Sequence, residues 1–378
     1  MDLDFTPEQD LLRETVAGVC QRYCDLKVVR EMEDDPRGFP DKLWAQLADL
    51  GLIGLTLPEE YGGSGMSMLE AVIVYTELGR AVTPSPHFVS SVMSGGVLAL
   101  AGSDEQKSGL LTQIASGEAI VTPAWLEPGR GFGPNGVALA ATADGDGWKL
   151  NGVKRHVYFA SAADRLLVLA RTPDGPAMFL VDPLASGVEL VQQKSISSDT
   201  QYEITFTDAH VDAIDVVGTP GDAWQTWDTV MHDGIILLAA QAAGGARYAL
   251  DITVQYSKDR QQFDKPLGAF QALAHNMSDA VTTVDGAETL VLEAGWAHSE
   301  GHSVKRLAPM AKLFATQTFR DVTAMAQQIF GGVGFTVEYD IQLYFRRAKQ
   351  LQISWWDTPY LEELIAADVL DDRVPTEL

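Results

Sequence analysis

The sequence is short of positive charge, of cysteine and of long apolar runs. Its 378 residues include 27 Lys and Arg against 52 Asp and Glu, which gives a formal net charge of −25. A chain this acidic repels nucleic acids and anionic lipids unless it carries a local basic patch. The densest basic stretch, Arg346-Arg347-Ala348-Lys349, has too few cations to form a binding groove. We therefore expect no nucleic-acid partner.

Long apolar segments are also missing. The longest uncharged apolar run, from Gly234 to Ala246, has 13 residues, whereas a membrane-spanning helix needs about 20. The first residues, Met1-Asp2-Leu3-Asp4, show neither the basic segment nor the apolar core of a signal peptide. We expect no membrane insertion and a cytoplasmic location.

The sequence has only two cysteines, Cys20 and Cys24, which excludes a disulfide framework. A spacing of four places both thiols on one face of a predicted helix. Free cysteines are usually buried, so we predict that both are core residues. A metal site would need further ligands nearby, and we predict none.

The remaining composition is that of a globular protein, with 46% hydrophobic and 8% aromatic residues. A chain of this length usually forms more than one domain. Helical start signals such as Thr6-Pro7-Glu8-Gln9 and Ser103-Asp104-Glu105-Gln106 mark the first third. Short strand-like runs follow, and helical periods return after about Gly221. The long ones predict helices over roughly Trp224–Ser257, Phe270–Ser299 and Ser303–Phe330. We predict a helical domain over 1–117, an antiparallel β-sandwich or barrel over 118–220, and a helical domain over 221–378.

Five strings, in order along almost the whole chain, resemble motifs of the flavin-dependent acyl-CoA dehydrogenase family. They are LTLPEEYGG (Leu55–Gly63), WLEPGRG (Trp125–Gly131), WKLNGVK (Trp148–Lys154), RQQFDKPLGAFQ (Arg260–Gln271) and QIFGGVGF (Gln328–Phe335). The resemblance implies an α+β multidomain fold, with an N-terminal helical domain, a middle antiparallel β domain and a C-terminal four-helix bundle. It also implies FAD as the cofactor and assembly as dimers of dimers.

The family's reaction is an α,β-dehydrogenation of an acyl-CoA thioester. A carboxylate removes the α proton, and the β hydrogen leaves as hydride to the flavin, whose chemistry the protein positions and supports. The resemblance thus implies an acyl-CoA substrate, and an electron-transfer flavoprotein is one candidate electron acceptor. The acyl chain, whether fatty, branched or steroid, is not given by the sequence.

The resemblance also implies which residues contact FAD. In the family, the C-terminal helical domain of a neighbouring subunit holds the adenosine and pyrophosphate, a role that falls here to Arg260, Phe263, Gln271, Gln328, Gly331 and Gly332. Asp264 stands where the family usually has Gly. On the ring side, Leu126 replaces a flavin-bonding Thr, and His156-Val157-Tyr158 replaces a Trp-Ile-Thr string. His156 and Tyr158 are therefore candidate ring or substrate contacts.

The family places its catalytic glutamate at one of two positions, and neither holds a glutamate here. Counted back from Thr358, the first position aligns with Trp356, beside Asp357, whereas counting from Arg346-Arg347-Ala348-Lys349 shifts the match by one residue. The second position aligns with Gly234, beside Asp233. Asp357 is the candidate base, because nitroalkane oxidase, a relative in the superfamily, uses an Asp near the first position. Asp357-Thr358-Pro359 is equally typical of a helix N-cap, so both roles stay open.

These departures favour one hypothesis and leave two alternatives. The favoured one is a base-lacking subunit of an α2β2 complex, which shares FAD sites with a related chain. The first alternative is an active homotetrameric acyl-CoA dehydrogenase that uses Asp357 as its base. The second is a different flavin reaction on the same fold, such as oxidation of a small anion by Asp357.

Overall fold

The structure, a computed structural model, describes residues 4–371, which form two compact units. Within that range, one unit comprises residues 4–27, 67–83 and 235–371, and the other comprises 28–66 and 84–234. Both units combine segments that are distant in the sequence. The predicted domain boundaries after residues 117 and 220 stay predictions.

The first third of the chain is helical, as predicted. Its helices are α1 (Pro7–Tyr23), α2 (Leu26–Met32), α3 (Asp41–Asp49), α4 (Met68–Arg80), α5 (Gly96–Ala101), α6 (Asp104–Gln106) and α7 (Thr112–Ser116). A π-helix, Phe88–Gly95, leads directly into α5, and a second one, Lys107–Leu111, joins α6 to α7. Capping boxes at Thr6, Ser67 and Ser103 begin α1, α4 and α6. The start signals predicted at Thr6 and Ser103 are thereby confirmed.

The middle of the chain forms a sheet. Its strands are β1 (Val121–Ala124), β2 (Ala140–Asp144), β3 (Gly147–Tyr158), β4 (Arg165–Thr172), β5 (Gly175–Val181), β6 (Val188–Gln193), β7 (Gln201–Val211) and β8 (Val216–Val217). The strand order is β6-β7-β3-β2-β4-β5-β8, and β1 pairs with β4. Most pairs are antiparallel, as expected, whereas β1–β4 and β2–β4 are parallel. Parallel pairing is possible because long connections separate these strands in the sequence.

The last part of the chain is again helical. A long helix, α8 (Ala223–Asp259), is followed by a short hairpin of β9 (Gln261–Gln262) and β10 (Lys265–Pro266). The remaining elements are α9 (Gln271–Ser299), α10 (Leu307–Phe330), a 3₁₀ helix (Gly331–Phe335), α11 (Ile341–Ile353), α12 (Thr358–Ala366) and a π-helix (Ala367–Asp371). Helix α10 packs against α9, α11 and α12, so it is the centre of this bundle.

Two glycines let α4 and α8 approach closely. A Cβ on Gly79 would overlap the carbonyl of Gln241, and a Cβ on Gly244 would overlap the carbonyl of Thr76. Only residues without side chains fit this crossing.

Cys20 on α1 and Cys24, the residue that caps its C-terminus, are both buried, which confirms the prediction of core thiols. Burial raises the pKa of Cys20 to about 11 and that of Cys24 to about 12. The thiolate is the reactive form of cysteine, so these two are inert at neutral pH.

Helix α8 has the length and apolar composition of a membrane-spanning helix, the only such case within residues 4–371. Its most apolar window has a mean hydropathy of 1.2, and 72% of that window is buried inside the fold. Core helices of large proteins share these properties.

Candidate active site

A two-residue turn carries the first group of candidate cofactor residues. Arg260 directly follows α8, where its amide donates to Tyr256 O at 2.8 Å and its carbonyl accepts from Leu267 N at 2.9 Å. Phe263 and Asp264 link β9 to β10 with φ of 55° and 65°. Such a left-handed pair is typical of a type I′ turn, which favours Gly, Asn or Asp. Asp264 thus fits where Gly was expected, and Phe263 is left 87% exposed.

The second group lies at the end of α10. Gly331 ends the helix with φ 67° and ψ −143°, and a Cβ on Gly331 or Gly332 would meet no atom within 4 Å. The rings of Tyr256 and Phe330 stack with centroids 4.1 Å apart. This stack holds the ends of α8 and α10 side by side, so Arg260 and the two glycines lie on neighbouring segments.

The two candidate glutamines lie on the same unit. Gln271 is the first residue of α9, and Gln328 lines a pocket of about 390 Å³ between α9 and α10. Leu273 and Asn276 line the same pocket. The side chains of Gln271 and Gln328 are both exposed, so their amides are accessible to a ligand.

These residues fit the pyrophosphate side of FAD. Arg260 is exposed, and the described part of the chain gives it no acidic partner. A guanidinium presents a planar fork of donors to a pyrophosphate. The open backbone at Gly331 and Gly332 allows a ligand to approach closely. The chemistry of this donor set therefore suits a pyrophosphate, and the contacts with FAD stay a prediction.

The loop that starts at Leu126, which the resemblance assigns to the flavin-ring side and which is called the ring-side loop below, is anchored by a buried ion pair. Lys154 is fully buried and donates to Glu127 Oε1 at 2.6 Å and to Trp125 O at 3.1 Å. Glu127 Oε1 also accepts from the amides of Ala138 and Leu139 at 2.8 Å each. Burial lowers the pKa of Lys154 to about 8, and the attraction of Glu127 opposes that shift. The Lys154–Glu127 pair therefore fixes the path of the loop that starts at Leu126.

Aromatic side chains fill the space beside this loop. Trp125 packs against Trp227 and Phe132, with ring centroids 5.3 and 5.9 Å apart. Leu126, next to Trp125, offers only an aliphatic side chain where the family has a hydroxyl. The prediction from the resemblance, that this loop makes no side-chain hydrogen bond to the flavin ring, stays a prediction.

His156 lies at a bulge in β3, in a left-handed conformation with φ 54°. Its ring Nδ1 is 2.9 Å from Gln201 Oε1, and its amide donates to Gln193 Oε1 at 3.2 Å. The side-chain amide of Gln201 in turn donates from Nε2 to the carboxylate of Asp199. Left-handed conformations of residues other than glycine are uncommon and cluster at functional sites. His156 is thus a solvent-exposed imidazole whose orientation is fixed by a chain of polar contacts.

Tyr158, two residues along the same strand, is buried. Its carbonyl accepts a hydrogen bond from Thr122 Oγ1 at 2.7 Å, which ties the end of β3 to β1. Leu126, His156 and Tyr158 lie on one unit, whereas Arg260, Phe263, Gln271, Gln328, Gly331 and Gly332 lie on the other.

The first position of the family's base holds a buried tryptophan. Trp356 is fully buried and packs on Tyr360, with centroids 5.4 Å apart. The next residue, Asp357, accepts a hydrogen bond from Tyr360 N at 3.1 Å through Oδ1 and is the N-cap of α12. The predicted N-cap role of Asp357 is therefore confirmed, and its role as a base stays a prediction.

The residue aligned with the second position of the base, Gly234, is crowded by two side chains. A Cβ on Gly234 would lie 2.8 Å from Met93 Sδ and 3.3 Å from Phe88 Cζ. Both neighbours lie in the π-helix Phe88–Gly95. Asp233, the adjacent carboxylate, is partly exposed. No glutamate can therefore be placed at position 234 without moving Phe88 or Met93.

Two buried lysines were not singled out from the sequence. Lys154 anchors the ring-side loop, and Lys312 on α10 is also fully buried. For Lys312 a signal existed, because it lies four residues after Ala308 and three before Ala315, on the apolar face of the helix. A charged residue in such a face needs polar partners to be stable there.

Comparison with known proteins finds a match for each of the three parts of the chain. Profiles of the acyl-CoA dehydrogenase N-terminal, middle and C-terminal domains match residues 6–118, 123–209 and 222–367. The probable acyl-CoA dehydrogenase YngJ of Bacillus subtilis is 30% identical, with 98% of this chain and 100% of that protein covered.

Two solved structures are also similar over nearly their whole length. A chain in the structure of the electron transferring flavoprotein of Acidaminococcus fermentans has a TM-score of 0.90 at 28% identity, with 98% of this chain and 100% of that chain covered. A chain of the ChsE4-ChsE5 complex from Mycobacterium tuberculosis has a TM-score of 0.89 at 27% identity, with coverage of 99% and 100%. These comparisons confirm the predicted three-part fold.

Proposed function

Since the chain belongs to the acyl-CoA dehydrogenase family, we propose that it is the base-lacking subunit of a heteromeric, FAD-dependent acyl-CoA dehydrogenase. One observation carries this proposal. The two positions that the resemblance assigns to the catalytic glutamate hold Trp356, which is fully buried, and Gly234, where an added Cβ would lie 2.8 Å from Met93 Sδ. A general base typically contributes about 10²–10⁴-fold to a rate, so a chain without one needs a partner.

The contribution of this chain would be to bind the cofactor's adenosine and pyrophosphate. Bound FAD supplies the hydride acceptor of the reaction. Arg260 would donate hydrogen bonds to the pyrophosphate, and the amides near Gly331 and Gly332 would approach it closely. Phe263, which the turn holds in solvent, would provide an apolar surface for the cofactor or the partner chain.

The related chain would supply the groups that this chain lacks. These are the carboxylate that removes the α proton of the acyl-CoA thioester and the hydroxyl that replaces Leu126 at the flavin ring. Donors around the thioester carbonyl would stabilise the developing enolate, as in an oxyanion hole. This division of labour accounts for a donor set that fits FAD on one side and departs from the family on the other.

Two similar structures support the proposed partners. The ChsE4-ChsE5 complex joins two differently named chains, which is the kind of assembly proposed here. The Acidaminococcus fermentans structure is that of an electron transferring flavoprotein, and a protein of this class is the electron acceptor that we propose.

The experiment compares the chain alone with the chain co-expressed with a glutamate-bearing relative from the same organism. We expect the purified chain alone to be colourless or unstable, and the co-purified complex to be a yellow heterotetramer by absorption spectrum and native mass. A yellow homotetramer with one FAD per chain would contradict the proposal.

That contrary result would favour the homotetramer with Asp357 as its base. The variant Asp357→Asn then decides, because Asn keeps the helix cap but cannot accept a proton. Loss of turnover with acyl-CoA would assign the base to Asp357. Turnover of a small anion in place of acyl-CoA, lost in the same variant, would indicate the other flavin reaction.

A further inference from the structure

Lys312 is bound to the loop that contains the first base position. Lys312 is a residue of α10, and its side chain is fully buried. Its Nζ donates to Ser354 O at 2.8 Å and to Trp356 O at 2.5 Å. These carbonyls belong to the segment between α11 and α12. A buried cation is stable only if polar groups surround it, and here the loop backbone provides them.

The same loop has an unusual backbone. Trp355 and Trp356 are consecutive residues in the left-handed region, with φ of 54° and 72°. Bulky side chains disfavour this conformation, which persists only where the surroundings enforce it. The two hydrogen bonds from Lys312 span these residues, so they oppose relaxation of the loop to an ordinary conformation.

We infer that Lys312 is a positioning residue, which holds residues 354–357 in the strained conformation that fixes the side chains at the family's first base position. In this chain it keeps the indole of Trp356 buried against Tyr360, and it sets the start of α12 at Asp357. The geometric part of the inference stands alone, whereas its meaning for catalysis rests on the proposed function.

The electrostatics of the site agree with this role. Burial lowers the pKa of Lys312 to about 7, and the nearby charge of Asp357 opposes that shift. The protonation of Lys312 is therefore coupled to the charge of Asp357, the residue that caps α12. The carbonyl of Lys312 accepts from Thr316 Oγ1 at 2.8 Å, which also fixes the backbone from which its side chain extends.

The first test measures hydrogen exchange in Lys312→Met and in a matched control, Lys154→Met. Both lysines are fully buried and bonded to backbone carbonyls, but Lys154 contacts a different loop. We expect the amides of residues 354–361 to exchange at least tenfold faster in Lys312→Met and to be unchanged in Lys154→Met. Equal exchange of that loop in the two variants would overturn the inference, because it would show only a general loss of stability.

The second test decides the matter if Lys312→Met does not fold, and it uses Lys312→Gln, which removes the charge and shortens the side chain but keeps an N–H donor. Fluorine NMR of the chain labelled with 5-fluorotryptophan follows Trp355 and Trp356, with signals assigned through Trp355→Phe and Trp356→Phe. We expect the Trp356 signal to be displaced in Lys312→Gln and unchanged in Lys154→Gln, because only Lys312 donates to the carbonyl of Trp356. The same Trp356 signal in the wild type and in Lys312→Gln would overturn the inference. Neither test uses flavin content or turnover, so failure of the proposed function would be seen separately.

Discussion

The two roles of Asp357 can be separated by a pair of substitutions at that one position. Asp357 Oδ1 accepts from Tyr360 N, a bond that Asn can also make and Ala cannot. Replacing an N-cap by Ala costs about 1 kcal/mol, whereas Asp and Asn cap about equally well. If Asp357 is only a cap, Asp357→Asn leaves both stability and turnover of the complex unchanged, and Asp357→Ala destabilises α12.

The small expected change in unfolding free energy determines which measurement can detect it. Unfolding entropy of about 2.1 cal/mol/K per residue gives about 0.8 kcal/mol/K for 378 residues, so 1 kcal/mol changes the melting temperature by only about 1 °C. Local hydrogen exchange is more sensitive, because 1.4 kcal/mol is tenfold in an equilibrium constant. We expect the Tyr360 amide to exchange about fivefold faster in Asp357→Ala.

Turnover supplies the result that would refute the cap as the sole role. A well-placed general base contributes about 10²–10⁴-fold, far more than a lost cap can. A drop of this size in Asp357→Asn, with normal exchange at Tyr360, would identify Asp357 as the base and contradict the proposed function.

Three further predictions follow from other parts of the structure. Gly79→Ala should lower the unfolding free energy by about 1–3 kcal/mol or more, because the added Cβ would overlap Gln241 O. Gly18→Ala, with open space around its Cβ, should be neutral or stabilising in the same denaturant unfolding experiment. Equal effects of the two substitutions would contradict the close crossing of α4 and α8. Arg260→Ala should weaken FAD binding by the complex about 10–100-fold, as expected for loss of hydrogen bonds from a charged group. The control Arg306→Ala removes only an exposed ion pair with Asp368 and should leave FAD binding unchanged. Normal flavin absorption in Arg260→Ala would show that Arg260 does not hold the cofactor. Because burial lowers the pKa of Lys312 to about 7, the unfolded chain holds one more proton between pH 7 and about 10.4. The unfolding free energy of the wild type relative to Lys312→Met should therefore rise with pH by up to roughly 1.4 kcal/mol per unit, and a flat difference from pH 7 to 9 would refute this.

Much of the fold was predictable because its signals are local. The capping box at Thr6 and the long apolar periods fixed the helices to within a few residues, as in the predicted Trp224–Ser257 and the observed Ala223–Asp259. The helix predicted from Ser303 begins instead at Leu307, where no side chain caps it. The parallel pairing of β1 with β4 depends on residues more than 40 positions apart, and no local pattern encodes such a pairing.

The candidate site was only partly predictable, for physical reasons. Glycines and an arginine in spaced motifs predicted the cofactor residues, because their chemistry is limited to a few uses. The alignment at the first base position was uncertain by one residue. The left-handed pair at Trp355 and Trp356 lies at this point, and bulky residues give no sign of that conformation in a sequence. The role of Lys312 depends on backbone carbonyls, which every residue has.

The hairpin tip at Phe263 has a consequence for how the cell makes this protein. An aromatic ring held 87% exposed on a strained turn, with Phe335 and Val337 exposed at 72% and 71% on the same unit, is apolar surface that a free chain shows to any other protein. Chaperones and proteases recognise such surface in subunits that lack their partner. If the heteromeric assembly proposed above forms, chain made in excess of the partner would be degraded. The abundance of the complex would then be set by whichever of the two chains is made in smaller amount.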